Sequence, residues 1–136
     1  MDIAALQRAL AELFAPWVQA LDLRVEAADA DADGVRLRLP LTPALVRQGE
    51  VLCGQAMMAA ADTAMVLALM QHFGAFRPCT TVQLNSSFLR PLSQQDATVH
   101  ARVLRAGKAL AFGEIEIAGH RDGKSVCRAS TTYALL

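Results

Sequence analysis

One carboxylate lies in the middle of a long apolar run, and it is the side chain in this protein most able to do chemistry. The run over residues 51–70, VLCGQAMMAAADTAMVLALM, contains a single charged residue, Asp62. An apolar surrounding disfavours an ionised carboxylate unless neighbouring groups compensate for the lost hydration. Such a residue is expected to have a task, and the tasks open to a carboxylate are those of a general base or a nucleophile.

Cys53 is a second side chain that could attack a carbonyl, since a thiol at the start of a helix can act as a nucleophile. It would need a basic partner. His72 lies nineteen residues further on, about 28 Å along a continuous helix. The sequence leaves open whether His100 or His120 approaches from a strand, and it equally allows Cys53 to be a small residue that fills space.

Cysteine usage and one acidic segment indicate neither a disulfide framework nor a metal site. The cysteines Cys53, Cys79 and Cys127 are odd in number and lack the spacing of paired metal ligands. The acidic segment 29–34 is similar to the start of a calcium-binding loop, but Pro40 stands where such a loop needs its glutamate. We therefore expect no metal or other cofactor, and a reducing, cytoplasmic location for the free thiols.

The charge distribution favours a small anionic ligand over a nucleic acid. The formal net charge is zero, which argues against a nucleic-acid partner. Residues 1–62 carry nine acidic and five basic side chains, whereas residues 63–136 carry four acidic and eight basic ones. Candidate contacts for such an anion lie on or near predicted turns of this basic half: Arg90, Lys108, Arg102 and Arg105.

The apolar run is long enough to cross a bilayer, but two features favour a helix inside a globular fold. Asp62 would lie near the membrane centre, and no cluster of Lys or Arg flanks either end of the run. A helix that is apolar all round is otherwise one wrapped by other elements. We therefore predict a buried helix over 54–72, ended by Gly74 and Pro78, and no membrane partner.

The rest of the pattern predicts one short helix and six strands around that central helix. Apolar residues at spacings of three and four predict an N-terminal helix that Pro16 closes: Ile3, Leu6, Leu10, Leu13 and Trp17. Alternating apolar and polar residues predict strands over 21–27, 35–41, 80–89, 97–105, 110–117 and 125–134, with a loop over 42–49. Consecutive strands joined by short turns are expected to pair antiparallel. The prediction is an α+β fold, a single domain over 1–136.

Four segments, in this order and spacing, resemble the phenylacetate-type (PaaI-like) acyl-CoA thioesterases. CGQ at 53–55 stands where that family usually has His-Gly-Gly, and AADT at 60–63 is similar to its helix motif Leu-Ala-Asp-Ser/Thr. TVQLN at 81–85 with FLRP at 88–91 resembles the next strand, and AGKAL at 106–110 resembles a later hairpin. The resemblance covers residues 49–136 and implies the hotdog fold, an antiparallel sheet wrapped around a long helix.

This resemblance implies an enzyme that cleaves acyl-CoA thioesters with water and without a cofactor. By position, Asp62 is the catalytic carboxylate, Gly54 offers its backbone N–H to the thioester oxygen, and Thr81 helps to place the carboxylate or the water. Whether Asp62 is a general base or a nucleophile stays open. With coenzyme A as part of the substrate, Arg90 and Lys108 become candidate contacts for its phosphates.

Two positions depart from the family pattern. Cys53 replaces the usual histidine, and Arg47 or Gln48 stands where the family often has an amide that orients the attacking water. Gln48 or Gln55 could supply that amide, so Gln48, Cys53 and Gln55 are candidate substrate-binding residues. The departures keep a second hypothesis open, a hotdog protein that binds or senses acyl-CoA without cleaving it.

Helix geometry predicts that the site is shared between two chains. Gly54 and Asp62 are eight residues apart, about 12 Å along the helix axis. An oxyanion donor and an attacking group must both lie within about 3 Å of the reacting carbonyl. Two helices packed antiparallel about a two-fold axis would bring Gly54 of one chain to Asp62 of the other. We therefore predict a homodimer, and a dimer of dimers stays open.

Overall fold

An antiparallel sheet packed on one long helix forms the body of the protein. The computed structural model describes residues 1–28 and 34–136. The strands in these residues are β1 (Arg24–Ala27), β2 (Gly34–Leu39), β3 (Val46–Arg47), β4 (Val51–Leu52), β5 (Cys79–Phe88), β6 (Ala97–Ala106), β7 (Leu110–Gly119) and β8 (Ser125–Leu135). The helices are α1 (Ile3–Glu12), α2 (Pro16–Gln19) and α3 (Gly54–Phe73).

Six strands form the main sheet in the order β1-β2-β6-β7-β8-β5, and every neighbouring pair is antiparallel. One expected pairing is wrong, because β5 and β6 follow each other in the chain but do not pair. The connection over 89–96 crosses the fold instead, since Leu92 is buried and its carbonyl accepts a hydrogen bond from the N–H of Leu52 at 2.9 Å. β5 is therefore an edge strand whose single partner in the sheet is β8.

The central helix α3 lies almost where the sequence predicts it. It ends at Gly74, whose φ of 79° places it in the left-handed region and whose N–H donates to the carbonyl of Met70 at 2.8 Å. By length and composition α3 could cross a membrane, but 61% of its apolar window is buried inside the fold. It packs on β2, β6 and β7, as the core helix of a globular fold does.

One face of α3 is left partly open. The side chains at positions 55, 58, 59, 62 and 66 are exposed or half-buried, and their spacing places them along one side of the helix. We call this face the open stripe: Gln55, Met58, Ala59, Asp62 and Val66. Met58 is 40% exposed. The sheet of a single chain therefore covers the helix on several faces, as predicted, and leaves this one uncovered.

The N-terminal segment contains two helices where the sequence predicts one. α1 ends before Pro16, and Pro16 begins α2, so this proline starts a helix rather than closing one. A proline fits the first turn because its missing N–H would have no partner there. Trp17, which the apolar spacing assigns to a buried face, is 65% exposed.

The segment before α3 is more ordered than the predicted loop. A 3₁₀ turn over Pro43–Leu45 is followed by the short ribbon of β3 and β4, whose turn contains Gly49 at φ 93°. The predicted acidic turn lies outside the described residues at positions 29–33, so neither it nor the calcium comparison is tested. The strands on either side, β1 and β2, pair antiparallel as predicted.

Candidate active site

Asp62 lies near the middle of α3, on the open stripe, where two hydroxyl groups hold its carboxylate. Thr81 Oγ1 donates to Asp62 Oδ1 at 2.8 Å, and Tyr133 Oη donates to the same oxygen at 2.5 Å. Tyr133 Oη also lies 2.9 Å from the backbone carbonyl oxygen of Asp62. Among the residues that the structure describes, no cation pairs with this carboxylate and no donor reaches Oδ2. One carboxylate oxygen is held and the other is available.

Strand register explains why both hydroxyls reach the same oxygen. Thr81 on β5 lies directly opposite Tyr133 on β8. Opposed residues of antiparallel strands present their side chains on the same face of the sheet, which here is the face that α3 covers. A β-bulge follows at Val82, where the register passes from the Thr81–Tyr133 pair to the Gln83–Thr132 pair. Bulges locally re-aim side chains and are frequent beside active sites.

Tyr133 is a donor that stays protonated. Its side chain is 2% exposed. Burial, together with the hydrogen bond to Asp62, raises the pKa of Tyr133 far above its ordinary value. Burial and the charge of Asp62 also raise the pKa of the neighbouring Cys79 thiol. Cys79 is therefore a poor nucleophile at neutral pH.

A cleft of about 250 Å³ opens beside the carboxylate. One wall is apolar and comes from the N-terminal segment: Phe14, Trp17 and Val18. The opposite side is lined by Ala59 and Val66 of the open stripe. An apolar concave surface that ends at one or two polar groups is the usual form of a small-molecule site.

A second groove of about 480 Å³ lies among side chains of β5, β6, β7 and β8 and does not include Asp62. It is lined by the ion pairs Arg102–Glu114 and Arg128–Glu116. In each pair, the arginine and the glutamate lie on neighbouring strands and their opposite charges compensate each other. Although it has the larger volume, this groove contains no group poised to react, so we place the site at the cleft.

Gly54 is the first residue of α3, N-terminal to Asp62. The backbone N–H groups of Gly54, Gln55 and Ala56 have no acceptor in the described part of the chain, as expected for the first turn of a helix. The ring of Phe88 lies 3.4 Å from the point where a side chain at Gly54 would begin. About 12 Å of helix axis separates Gly54 from Asp62, so one chain does not bring them together.

The other predicted substrate-binding residues are dispersed on one chain. Gln48 is exposed in the β3–β4 turn, and Gln55 is exposed on the first turn of α3. Arg90 follows the C-terminal end of β5. Lys108 lies near the opposite end of that strand, where Arg77, just before β5, donates a hydrogen bond to the Lys108 carbonyl at 3.0 Å. A strand of ten residues spans about 30 Å. Arg90 and Lys108 therefore do not form one phosphate site within a chain.

Cys53 has no basic partner in the described residues. It caps the N-terminus of α3 without a side-chain hydrogen bond. His72 lies on the last turn of α3, His100 lines the groove among the ion pairs, and His120 Nδ1 contacts a threonine hydroxyl at 3.1 Å. No histidine activates the thiol, so the structure gives no support to the hypothesis of a cysteine nucleophile.

Sequence reasoning did not find Tyr133 or the aromatic wall of the cleft. Tyr133 is the single tyrosine of the chain and lies in an alternating strand pattern that fits core packing equally well. Its pairing with Thr81 is a long-range property that no local spacing encodes. In the described ranges, no three His, Cys, Asp or Glu side chains come close enough to hold a metal ion.

The antiparallel sheet, the central helix and the carboxylate on its open stripe together define a hotdog-fold protein of the PaaI-like thioesterase type. Residues 49–125 match the sequence profile of the Thioesterase superfamily, and the chain belongs to that family. A Thermoplasma volcanium protein with the provisional name esterase TV1331 is 31% identical over 98 residues, which are 72% of this chain and 71% of that protein.

Solved structures agree with this assignment. A Ralstonia eutropha protein described as phenylacetic acid degradation-related is 26% identical, with a TM-score of 0.80 over 96% of this chain and 98% of its own. The PaaI protein of the phenylacetic acid degradation operon of E. coli has a TM-score of 0.82 at 19% identity, over 98% and 93% of the two chains. At that identity the likeness shows the fold. Membership of the superfamily supports thioester hydrolysis as the general chemistry.

Proposed function

We propose that this protein hydrolyses acyl-CoA thioesters to a free acid and coenzyme A, with Asp62 as the reacting carboxylate. The observation that carries this proposal is the way in which the carboxylate of Asp62 is held. Two hydroxyls hold one of its oxygens, and the other is available beside an apolar cleft. A carboxylate in that arrangement can remove a proton from water or attack a carbonyl.

The acyl group occupies the cleft between the N-terminal segment and α3. Its walls are apolar, and Trp17 and Phe14 offer aromatic faces to the acyl chain. Because a water molecule takes up about 30 Å³, a volume of about 250 Å³ holds roughly eight groups of that size. A short or single-ring acyl group fits that space. Because Arg90 and Lys108 lie at opposite ends of β5, each is a separate exposed candidate for contact with the phosphates of coenzyme A.

The oxyanion donor is Gly54 of the partner subunit in a homodimer. Support comes from the surface that one chain leaves uncovered, which combines the open stripe with the unpaired edge of β5, where Val82 is 59% exposed. An edge strand presents a row of unpaired backbone groups, so it is a ready pairing site for a second copy. A two-fold axis perpendicular to α3 packs the two helices antiparallel and sets each helix N-terminus against the other chain's Asp62. A backbone donor at that point typically contributes about 10²–10³ in rate.

Two routes use the same oxygen, Asp62 Oδ2. As a general base, Asp62 takes a proton from water while the water oxygen bonds to the thioester carbon and charge develops on the carbonyl oxygen. The C–S bond then breaks, and the departing thiolate takes the proton back from Asp62. As a nucleophile, Oδ2 itself bonds to the carbon, the thiolate leaves, and water hydrolyses the resulting anhydride. Both routes consume only water.

The test is the release of free thiol from short, long and aromatic acyl-CoA thioesters. The native chain is compared with Asp62→Asn and with the control Asp22→Asn, which changes an exposed carboxylate that pairs with Arg24 at 2.8 Å. We expect Asp22→Asn to match the native protein and Asp62→Asn to fall by about a hundredfold or more, at an unchanged oligomeric state.

Two results would contradict the proposal. Equal turnover by Asp62→Asn would remove Asp62 from the reaction. Tight binding of acyl-CoA by the native protein with no thiol released would favour the second hypothesis, an acyl-CoA-binding protein, to which the departure at Cys53 from the family pattern points.

We place the protein in the cytoplasm, where its free cysteines would stay reduced.

A further inference from the structure

We infer that Tyr133 is a positioning residue for Asp62: together with Thr81 it fixes Oδ1 and thereby makes Oδ2 the single oxygen that reacts. The inference rests on the proposed thioester hydrolysis, which requires one defined oxygen to face the substrate. It assigns a role to a side chain that neither the sequence motifs nor the family match singles out.

A carboxylate has two equivalent oxygens, and rotation about its last bond exchanges them unless something distinguishes them. Here both donors go to Oδ1, from Thr81 at 2.8 Å and from Tyr133 at 2.5 Å. Rotation would break two charge-assisted hydrogen bonds, which are stronger than bonds between neutral groups. Oδ2 is thereby kept on the side of the carboxylate away from the two hydroxyls.

Tyr133 is the more rigid of the two donors. It lies in β8, which has β7 on one side and β5 on the other, and its side chain is 2% exposed. Its hydroxyl also lies 2.9 Å from the backbone carbonyl of Asp62, so it is placed against the helix backbone as well as the carboxylate. Thr81, by contrast, is on the exposed edge strand. Tyr133 therefore sets the position of Oδ1, and Thr81 completes the pair.

Tyr133 acts without exchanging its proton. A buried hydroxyl beside a carboxylate holds its proton tightly, in line with the raised pKa of this group. The residue therefore orients the carboxylate and transfers nothing to the substrate. This separates it from a general acid, whose removal would abolish a proton-transfer step.

Tyr133→Phe removes the hydroxyl and keeps the ring. We expect kcat to fall by about ten- to a hundredfold, because a small misplacement of a reacting group costs that much, while KM changes by less than about threefold.

The matched control is Thr131→Val on the same strand. Thr131 is 4% exposed, and its hydroxyl donates to the carbonyl of Gln83 at 2.7 Å without touching Asp62. If loss of a buried hydroxyl acted only through stability, both variants would lose thermal stability and neither would lose kcat. Native kcat in folded Tyr133→Phe would overturn the inference.

A second measurement does not depend on turnover. The hydroxyl proton of Tyr133, observed by NMR in the native protein, should resonate downfield and exchange slowly with water. In Asp62→Asn it should move upfield, because a neutral amide is the weaker acceptor. A signal unaffected by Asp62→Asn would overturn the inference. If the native protein cleaves no thioester, the proposed function fails, and this signal still decides whether Tyr133 holds Asp62.

Discussion

The charge of Asp62 is accommodated in an apolar helix by hydroxyl groups rather than by a cation. A buried ion pair would also compensate for lost hydration, but it would neutralise the carboxylate and occupy its outer oxygen. Two hydroxyls on Oδ1 stabilise the charge and leave Oδ2 available. At the scale of the residue, the same contacts that make the carboxylate tolerable also orient it.

A second titratable residue, His100, makes stability depend on pH. Burial, and next the charges of Arg36 and Arg102, lower the pKa of His100 below its ordinary value of 6.5. As the pH falls below about 6.5, His100 becomes protonated in the unfolded chain while it stays neutral in the folded protein. The folded state is therefore at its most stable, as far as His100 is concerned, above that pH, and it loses stability on acidification.

We expect His100→Gln to flatten this dependence. Denaturant unfolding midpoints measured from pH 7 downward should fall less steeply in His100→Gln than in the native protein. Arg36→Gln should change the slope in the same direction, because it removes a neighbouring charge that disfavours the imidazolium. An identical slope in the native protein and His100→Gln would contradict this account.

At the scale of the elements, pairing between β5 and β8 builds the site and the N-terminal segment closes it. Thr81 and Tyr133 meet at Asp62 because two strands far apart in sequence are neighbours in the sheet. The short helix α2 then places Trp17 over the cleft instead of burying it in the core. Trp17 is thereby available to contact a ligand in the cleft.

Trp17→Ala should weaken recognition of the acyl group. We expect KM for an aromatic or medium-chain acyl-CoA to rise about ten-fold, with a smaller change for acetyl-CoA, because less apolar surface is then buried by the smaller acyl group. Ile3→Ala is the control, an exposed apolar residue of α1 that does not line this cleft. Trp17 is the single tryptophan, so its fluorescence reports binding directly. Equal KM values across the panel would show that the acyl group lies elsewhere.

At the scale of the whole molecule, the proposed reaction needs two chains. Asp62 and the N–H of Gly54 are separated by about 12 Å along one helix, a distance that side-chain motion does not remove. Each site of the proposed dimer therefore takes its carboxylate from one subunit and its oxyanion donor from the other.

Mixing two inactive variants should restore activity if the sites are shared. Asp62→Asn removes the carboxylate, and Gly54→Pro removes the N–H at the first helical position, which tolerates proline. Cys53, the preceding residue, already has φ −70° and ψ 148°, a conformation compatible with a following proline. After subunit exchange, each mixed dimer contains one intact site and one doubly defective site.

Random exchange of equal amounts makes half of the dimers mixed, so thiol release should recover to about a quarter of the native rate. Each variant alone should remain inactive at an unchanged mass by light scattering. If the site lay within one chain, mixing would restore nothing. Recovery therefore separates a shared site from a site that one chain completes alone.

The local sequence pattern predicted most of the helices and strands. Glycine and proline signals with apolar spacing located α3 to within one residue and the four C-terminal strands to within one or two. The apolar run also singled out Asp62 as the one acidic residue of the central helix. Thr81 was predicted from the resemblance to a family motif. It did not predict the pairing of β5 with β8 or the break between α1 and α2.

What the sequence determined by itself are properties of neighbours along the chain: helix and strand periods, a charge out of place, and the spacing that separates Gly54 from Asp62. Tertiary structure alone decided which strand lies beside which, and with it the meeting of Tyr133 with Asp62 and the position of Trp17. The reason is physical. Periodicity is set by local backbone geometry, whereas contacts between distant residues depend on how whole elements pack to bury apolar surface.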